Sequence, residues 1–496
     1  MVRNEQKSVT DVFVFTRDLR MHDNQGLRHA VECAIKNNGS VKCLFIFHEK
    51  QVGSKNSYRS DNAIAFMIES LQDLESQIRE YGGTLSFLYE SSDANGALVR
   101  TLNGLTPSPQ RVHISRDYTP YAAKRESTMR SALPDGVQLC IHDTHVLSEE
   151  SLSIRTKSSG GMYQTFAPFY EGIRAKGITP PKSIGITRQR SSRDGIFSKN
   201  RVVGQKSIVV ITKSFPRERL SPGRIVRGGR HEGLRHLRKA SRRIRRRYSK
   251  DRHRLDYKTS TMSAYHHFGC VSTRETWYAF SAVPALQRQL VWRDYAYHMM
   301  DAWPGTWESI QSVGSRSTGI PWDRDSTRIN HWKLGKTGVP AVDAAMCQLR
   351  QEGYIHNRGR MVVANYLIKN LMIDWRVGEK HFAKWLTDYD RSVNFMNWIQ
   401  IAAVLPTDQP TRTMNPYIQA RKNDPDLTYI RTYLPELKDA EPDEILSQDR
   451  DTPIRDGSGK IVYPAPIVSY DTSRKAYSVW AKRYLVPYKP TKESSR

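Results

Sequence analysis

The hydrophobic period of the chain changes repeatedly over its first 145 residues and hardly at all after about residue 230. "DVFVFTRDLR" (11–20) and "VKCLFIFHEK" (41–50) are short runs rich in Val and Phe, and "QGLRHAVECAIKNN" between them has helical spacing. Side chains alternate across a strand but recur three and four residues apart on a helix face, so this is a βαβ opening. The amphipathic stretch "AIAFMIESLQDLESQIREYGG" follows, and "TLSFLYE", "RVHISRD" and "VQLCIHD" supply further strand-like runs. Alternation of this kind predicts a parallel, Rossmann-like α/β domain over residues 10–145.

Between about 180 and 230 no period survives. "TPPKSIGITRQRSSRDGIFSK" and "RERLSPGRIVRGGR" are rich in Ser, Gly, Pro and Arg, and residues 146–230 are read as an interdomain linker with a long surface stretch. Beyond it, "RETWYAFSAVPALQRQLVWRDYAYHMMDAW", "AVDAAMCQLRQEG", "GRMVVANYLIKNLMIDW" and "EKHFAKWLTD" carry helix-spaced apolar residues and almost no strand signal. Residues 231–485 are expected to form an all-α domain.

The net charge of +27 calls for a polyanionic partner, nucleic acid ahead of acidic membrane. The charge is concentrated at 224–254, where a solvated helix face, an import patch and direct phosphate contact all remain open readings. Cys33, Cys43, Cys140, Cys270 and Cys347 lie too far apart for a zinc or iron–sulfur pattern, and no disulfide framework is expected. The opening "MVRNEQKSVT" has no apolar core, and no later run approaches the roughly 18 residues needed to cross a bilayer. An intracellular monomer, nuclear or cytoplasmic, is the expectation.

Several leads fail. "LGKTG" (334–338) resembles a phosphate loop, but Asn330 stands where the first glycine belongs. "YHHFG" (265–269) places adjacent histidines on different helix faces with no third ligand nearby in sequence, and no metal is expected. Neither a GxSxG elbow nor an HExxH pair is present. Four segments read better together, as a cofactor pocket. "DYKTSTMSAYHHFG" offers the hydroxyls of Thr259, Ser260 and Ser263 at a helix start, suited to phosphate, although alone it reads as a helix cap. "LVWRDY" sets an aromatic beside an arginine, "GYIHNRGRM" concentrates His356, Asn357, Arg358, Arg360 and Met361, and "DYDRSVNFMNW" brings two acids, an amide and a tryptophan.

With these segments in order, together with "VFVFTRDLRMHDN", "GKTGVPAVDAAMCQL", "IDWRVGEKHF" and "MNPYIQARKNDPD", the chain resembles the photolyase/cryptochrome family over roughly residues 10–485. The resemblance implies an α/β antenna domain and a helical domain holding FAD. It assigns Tyr248, Thr259, Ser260, Thr261, Met262 and Ser263 to the phosphate segment, and Gln289, Trp292, Arg293, Asn357, Arg360, Asp388, Tyr389, Asp390 and Asn394 to the rest of the pocket, with Asn394 at flavin N5. Trp398, Trp375 and Trp322 match the family's electron-transfer chain. Trp292, Asn357 and Met361 match the lesion pocket of the cyclobutane-dimer enzymes, with Arg252 and Arg358 at its basic rim. The implied reaction is light-driven repair of pyrimidine dimers in DNA.

Departures from the pattern are specific. Gln289 stands where dimer-repairing members carry a glutamate, and Gln400 replaces an aromatic that would pack the lesion. "NRGR", "DYD" and "KNDPD" resemble DASH-type cryptochromes, which favour single strands, whereas "HNR" with Met361 leans toward class I dimer enzymes. His356-Asn357-Arg358 lacks the second histidine expected for (6-4) repair. "RDYTPYAAKRE" lacks the acidic folate-binding residue, which leaves an antenna of folate or deazaflavin type unnamed. A photoreceptor with little or no repair activity is the alternative function.

Overall fold

The structure, a computed structural model, describes residues 7–91, 95–148, 152–156, 160–213, 215, 217–302, 320–404 and 409–485. Strands β1 (Val9–Phe15), β2 (Ser40–His48), β3 (Leu85–Glu90), β4 (Arg111–Ser115) and β5 (Gln138–His142) form a parallel sheet in the order β3-β2-β1-β4-β5. Every residue of β1 and β2 is buried, as expected for strands covered on both faces. Helix α1 (Gln25–Lys36) starts where the Asn24 side chain accepts the Leu27 N–H, and the helix Asp61–Glu80 starts where Ser60 accepts that of Ala63. Each cap satisfies an amide that the first helical turn leaves without a partner. Val12, Val14, Leu44, Ile46, Leu88, Val112 and Ile114 pack with Leu98 and Leu102 into one apolar cluster.

The chain divides into two compact units. One takes Met1–Glu218, Val226–Arg245 and Ser260–Ala302, and the other Arg219–Ile225, Arg246–Thr259 and Trp303–Arg496. Most of the stretch read as a surface linker is built into the first unit, with Arg219–Ile225 in the second: Phe197 bridges Val41 and Lys206 bridges Phe87, beside short helices at Arg188–Asp194 and Ile208–Lys213. Ile184, Ile196, Phe197, Val202, Ile211 and Phe215 are buried. Isolated apolar residues in a polar stretch carry no period, yet each fills a gap. The basic run supplies the amphipathic helix Arg230–Ile244, which buries Gly233, Leu237, Ala240 and Ile244 and exposes Arg235, Arg238, Lys239, Arg242 and Arg243.

The second unit is helical, with Ser326–Leu334, Pro340–Glu352, Asn357–Asn365, Trp375–Trp385, Arg391–Ala402, Pro416–Asn423 and Tyr470–Tyr484 as its main elements. It departs from all-α at a small antiparallel pair, Ile454–Arg455 with Ile461–Tyr463. "LGKTG" finds its use here. The fully buried Asp343 carboxylate accepts from the Thr337 amide (2.8 Å), the Thr337 hydroxyl (2.7 Å), the Gly338 amide (3.0 Å) and the Tyr463 hydroxyl (2.5 Å). Burial pushes this carboxyl up to about 6 against those bonds. The amides that a phosphate loop would turn on its ligand are spent on an internal acid. No helix among the described residues is long and apolar enough to cross a membrane.

Asp343→Ala strands those donors in the interior, each at a cost of about 1–3 kcal/mol. The expected outcome is a fall in the urea midpoint equivalent to about 3 kcal/mol or more, whereas an unchanged midpoint would show that the loop does not depend on this acid.

Candidate functional site

In the second unit the site is built outward from one helix start. His356 Nδ1 accepts the Arg358 N–H at 3.1 Å and so caps the helix Asn357–Asn365, while Gln348 Oε1 holds the His356 N–H at 3.1 Å. Burial, with Arg358, Arg360 and His253 nearby, pushes the His356 imidazole down to about 4, so it is neutral at pH 7 as an accepting cap must be. One turn on, Arg360 Nη2 reaches both oxygens of Asp388, at 3.1 and 2.8 Å, and Nε reaches the Ile355 carbonyl at 3.1 Å. The same guanidinium stands 5.7 Å over the ring of Tyr354, whose hydroxyl lies 3.3 Å from Thr259 Oγ1.

Asp388 is therefore a buried ion-pair partner. Asp390 is buried too, and accepts the Val393 N–H at 3.3 Å as the cap of the helix Arg391–Ala402. One turn into that helix, Asn394 Nδ2 donates to Glu379 Oε1 at 3.2 Å, and the Tyr389 hydroxyl donates to the same oxygen at 2.9 Å. With its NH2 committed to a carboxylate, the Asn394 side chain turns its carbonyl oxygen the other way. Sequence reasoning missed Glu379. Its signal is an acid at helical spacing from Trp375 and Phe382, on the buried face of Trp375–Trp385, where only a partnered carboxylate survives.

The three tryptophans fall in this unit. Trp398 is buried against Phe382 (5.1 Å between ring centres) and Trp332 (6.3 Å). A Cβ at Gly378 would meet its ring, so glycine is what admits the indole. Phe395, one turn before Trp398, meets the buried ring of Trp375 at 5.3 Å. Asp323 bridges Ile373, two residues ahead of Trp375, and this places half-buried Trp322 beside a cleft of about 500 Å³ shared with Asp374 and Val377. The rim carries cations. Arg358 Nη2 is 2.8 Å from His253 Nδ1, and burial with the charge of Arg252 lowers the Arg358 pKa. Exposed Asn357 and half-buried Met361 are one turn apart on the same helix.

The remaining expected residues lie in the first unit, except Tyr248, which is buried in the second and pushed up to about 12 by burial. Here two of the expected side chains have partners within the unit. Arg293, read as an anion partner, donates to the carbonyls of His145 (2.5 Å) and His266 (3.3 Å) and stands 4.6 Å over Tyr297, because a buried guanidinium takes whatever acceptors the fold leaves it. Thr261, read with the phosphate-binding hydroxyls, has φ of 48° and its Oγ1 2.5 Å from His236 Nε2, which also lies 3.0 Å from the Ser260 carbonyl. Met262 is core, whereas Ser260 is half-buried and Ser263 exposed. Gln289 is exposed. Trp292 lies flat on Phe166, with 3.6 Å between ring centres and 6° between planes, and Arg288 covers Phe166 at 5.0 Å. Phe166 escaped the sequence reading because it falls in the stretch taken as linker.

Comparison with known proteins agrees with this arrangement. Residues 11–184 match the family model described as DNA photolyase, and residues 286–482 match the FAD binding domain of DNA photolyase. A deoxyribodipyrimidine photo-lyase from Streptomyces griseus is 30% identical over 484 residues, covering 94% of this chain and 98% of that protein. The chain belongs to the photolyase/cryptochrome family. Among its relatives, cryptochrome-2 of Gallus gallus is 28% identical over 495 residues, covering 93% of this chain and 81% of that one. The crystal structure of the archaeal photolyase from Sulfolobus tokodaii, which holds two FAD molecules, superposes with a TM-score of 0.79 at 28% identity, covering 95% of this chain and 99% of that chain. FAD is the cofactor of the domain matched at 286–482. The second unit suits it: beside the acidic pair, the buried hydroxyls of Thr387 and Ser392 have no hydrogen-bond partner among the described residues.

His356 also sets a pH dependence. Above its ordinary pKa of 6.5 the folded and unfolded chains are both neutral there. Between 6.5 and about 4 only the unfolded chain takes up the proton, so stability falls as pH falls. His356→Asn keeps an accepting cap and removes the titration. The loss of stability between pH 7 and pH 5 in urea unfolding should shrink relative to the parent, and an identical loss would refute the neutral-cap reading.

Proposed function

We propose that this protein is a light-driven DNA repair lyase acting on cyclobutane pyrimidine dimers. The observation that carries the reading is the continuity of one helix: Arg360 is locked to Asp388 at 2.8 Å, while Asn357 and Met361 on the same helix accompany the Arg358 cation, which donates to His253 and lies near Arg252. Cofactor-facing and nucleic-acid-facing chemistry thus share a rigid element. Bound FAD, when reduced and excited by blue light, supplies the electron that opens the cyclobutane ring and receives it back.

The chain's own residues hold this chemistry in place. Asp388 and Arg360 neutralise each other, so neither leaves a stray charge near the flavin. Asp390 would hold the isoalloxazine edge as an acceptor. Asn394, whose NH2 is tied to Glu379, would offer its carbonyl oxygen to the N5 hydrogen of a reduced flavin. Trp322, Trp375 and Trp398, in that order, pass electrons inward for photoreduction. Ser260 and Ser263 serve the pyrophosphate. Arg252 and Arg358 take phosphates on either side of an extruded dimer, whose weak pairing makes flipping inexpensive, a behaviour for which photolyases are a standing example. Asn357 bonds a pyrimidine edge, and Met361 packs the lesion.

Gln289 supplies hydrogen bonds but no proton, and exposed Gln400 removes an aromatic face, which supports a preference for single strands. A photoreceptor reading draws on the same two glutamines and on the similarity to cryptochrome-2. Two variants examine the assignments. Trp398→Phe should slow photoreduction several-fold while already reduced enzyme still repairs; photoreduction at the parent rate would remove Trp398 from the path. Asn394→Ala should change the flavin oxidation state that accumulates under light, and an unaltered spectrum would place that residue elsewhere.

The direct test mixes photoreduced protein with a thymine-dimer oligonucleotide, single-stranded and duplex, and follows recovery of base absorbance under blue light against a dark control. Recovery is expected on single strands, and more slowly on duplex. A yellow, photoreducible protein that restores neither would overturn the lyase reading in favour of the photoreceptor.

A further inference from the structure

Three histidines that no sequence spacing connects meet on one face of the α/β sheet. His113 is in β4 and His142 ends β5, two residues beyond Cys140, the register partner of His113, while His29 descends from α1. Their ligating nitrogens all lie within 4.8 Å of one another. The closest approach is His113 Nδ1 to His142 Nε2, 3.2 Å. Two imidazole nitrogens sharing a tetrahedral ion, with bonds of about 2.0–2.1 Å, stand about 3.3 Å apart. His29 is exposed, so its side chain can close the remaining distance at little cost.

The outer shell is already in place. His113 Nε2 lies 2.9 Å from Asp11 Oδ1, and the Asp11 carboxylate also accepts from Arg111 Nε at 2.7 Å and Thr10 Oγ1 at 2.8 Å. Burial alone would raise that carboxyl, but the bonds from His113, Arg111 and Thr10 outweigh it and hold it below its ordinary value. An ionised Asp11 keeps the His113 proton on Nε2 and turns the Nδ1 lone pair toward His142. This is the carboxylate–histidine arrangement that orients metal ligands. Burial also lowers both His113 and His142, the latter to about 4, so neither carries a charge that would repel a cation at pH 7. Gly26 brings α1 down onto the cluster: a Cβ there would lie 3.0 Å from the His142 ring. Cys140 beside His113 and Cys33, with Sγ 3.7 Å from His29 Nε2, make the surroundings soft, which favours a zinc-class ion over magnesium or calcium.

We infer that His29, His113 and His142 bind one divalent zinc-class ion, which clips α1 to the β4–β5 edge of the sheet. The site is separate from the residues proposed to act on flavin or DNA. A hydrogen bond between His113 and His142 accounts for that pair alone; it does not account for a third imidazole over them or for a charged second shell around a neutral ring. On binding, the proton shared between His113 and His142 moves to His142 Nδ1, and no net proton need leave the imidazoles.

The test uses the full, FAD-loaded chain freed of metal by a chelator. Zn²⁺ is titrated against a chromogenic competitor, and Co²⁺ is followed by its visible absorption. One equivalent should bind with a tetrahedral Co²⁺ spectrum, and His29→Ala and His142→Ala should each weaken Zn²⁺ at least tenfold. His231→Ala, an exposed histidine outside the cluster, should match the parent. Zn²⁺ should also raise the thermal midpoint of the parent and leave that of His29→Ala in place. Because His29 is exposed, its variant keeps the fold and the comparison stays informative. Absence of one-equivalent binding, or a His29→Ala titration that superimposes on the parent, would overturn the assignment.

Discussion

The helical unit depends on a buried carboxylate held by a half-buried guanidinium. Arg360 comes from the helix Asn357–Asn365 and Asp388 from the turn between two others, and they are joined by two hydrogen bonds from one nitrogen. Leaving either charge alone in the interior would cost about 3–5 kcal/mol, so each dictates the position of the other. Once Asp388 is held, Tyr389 and Asp390 follow along the backbone. Tyr389 reaches Glu379, Asp390 caps the next helix, and one turn later Asn394 meets the same Glu379 carboxylate. The orientation of the Asn394 side-chain amide is thereby traced to an ion pair two segments away.

The same logic separates residues that serve the fold from residues left for a ligand. A polar group buried by the fold needs a hydrogen-bond partner. The Thr337 and Gly338 amides take Asp343, Arg293 takes two backbone carbonyls, and Thr261 takes His236. Each looks like a ligand-binding group in the sequence. By contrast, Arg252 and Arg358 lie close enough for one to lower the pKa of the other, an arrangement that gains most from an added anion. The tryptophans are set by their neighbours: the missing side chain of Gly378 admits Trp398, and Phe395 packs against Trp375.

Much was legible in the sequence. The alternation over residues 10–145 predicted the five parallel strands because a buried strand and an amphipathic helix leave different periods in a linear chain. The ordered motifs of the helical half identified the family, and the pairing of Asp388 with a nearby arginine is a local demand of burying an acid in an apolar segment. What escaped lacked a period. Phe166, Phe197 and Phe215 sit in polar stretches, and only the positions of the helices and strands they cover give them a role.

The sequence by itself determined the class of fold, the sheet, the helices and the kind of cofactor, because these rest on local periodicity and on segments that keep their order. Tertiary structure alone decided which of the suggestive residues are spent on the protein itself, that Glu379 orients Asn394, and that His29, His113 and His142 converge from one helix and two strands. Hydrogen bonds and metal coordination act over about 2–3.5 Å in space and take no account of separation along the chain, so no spacing rule written in residue numbers can show them.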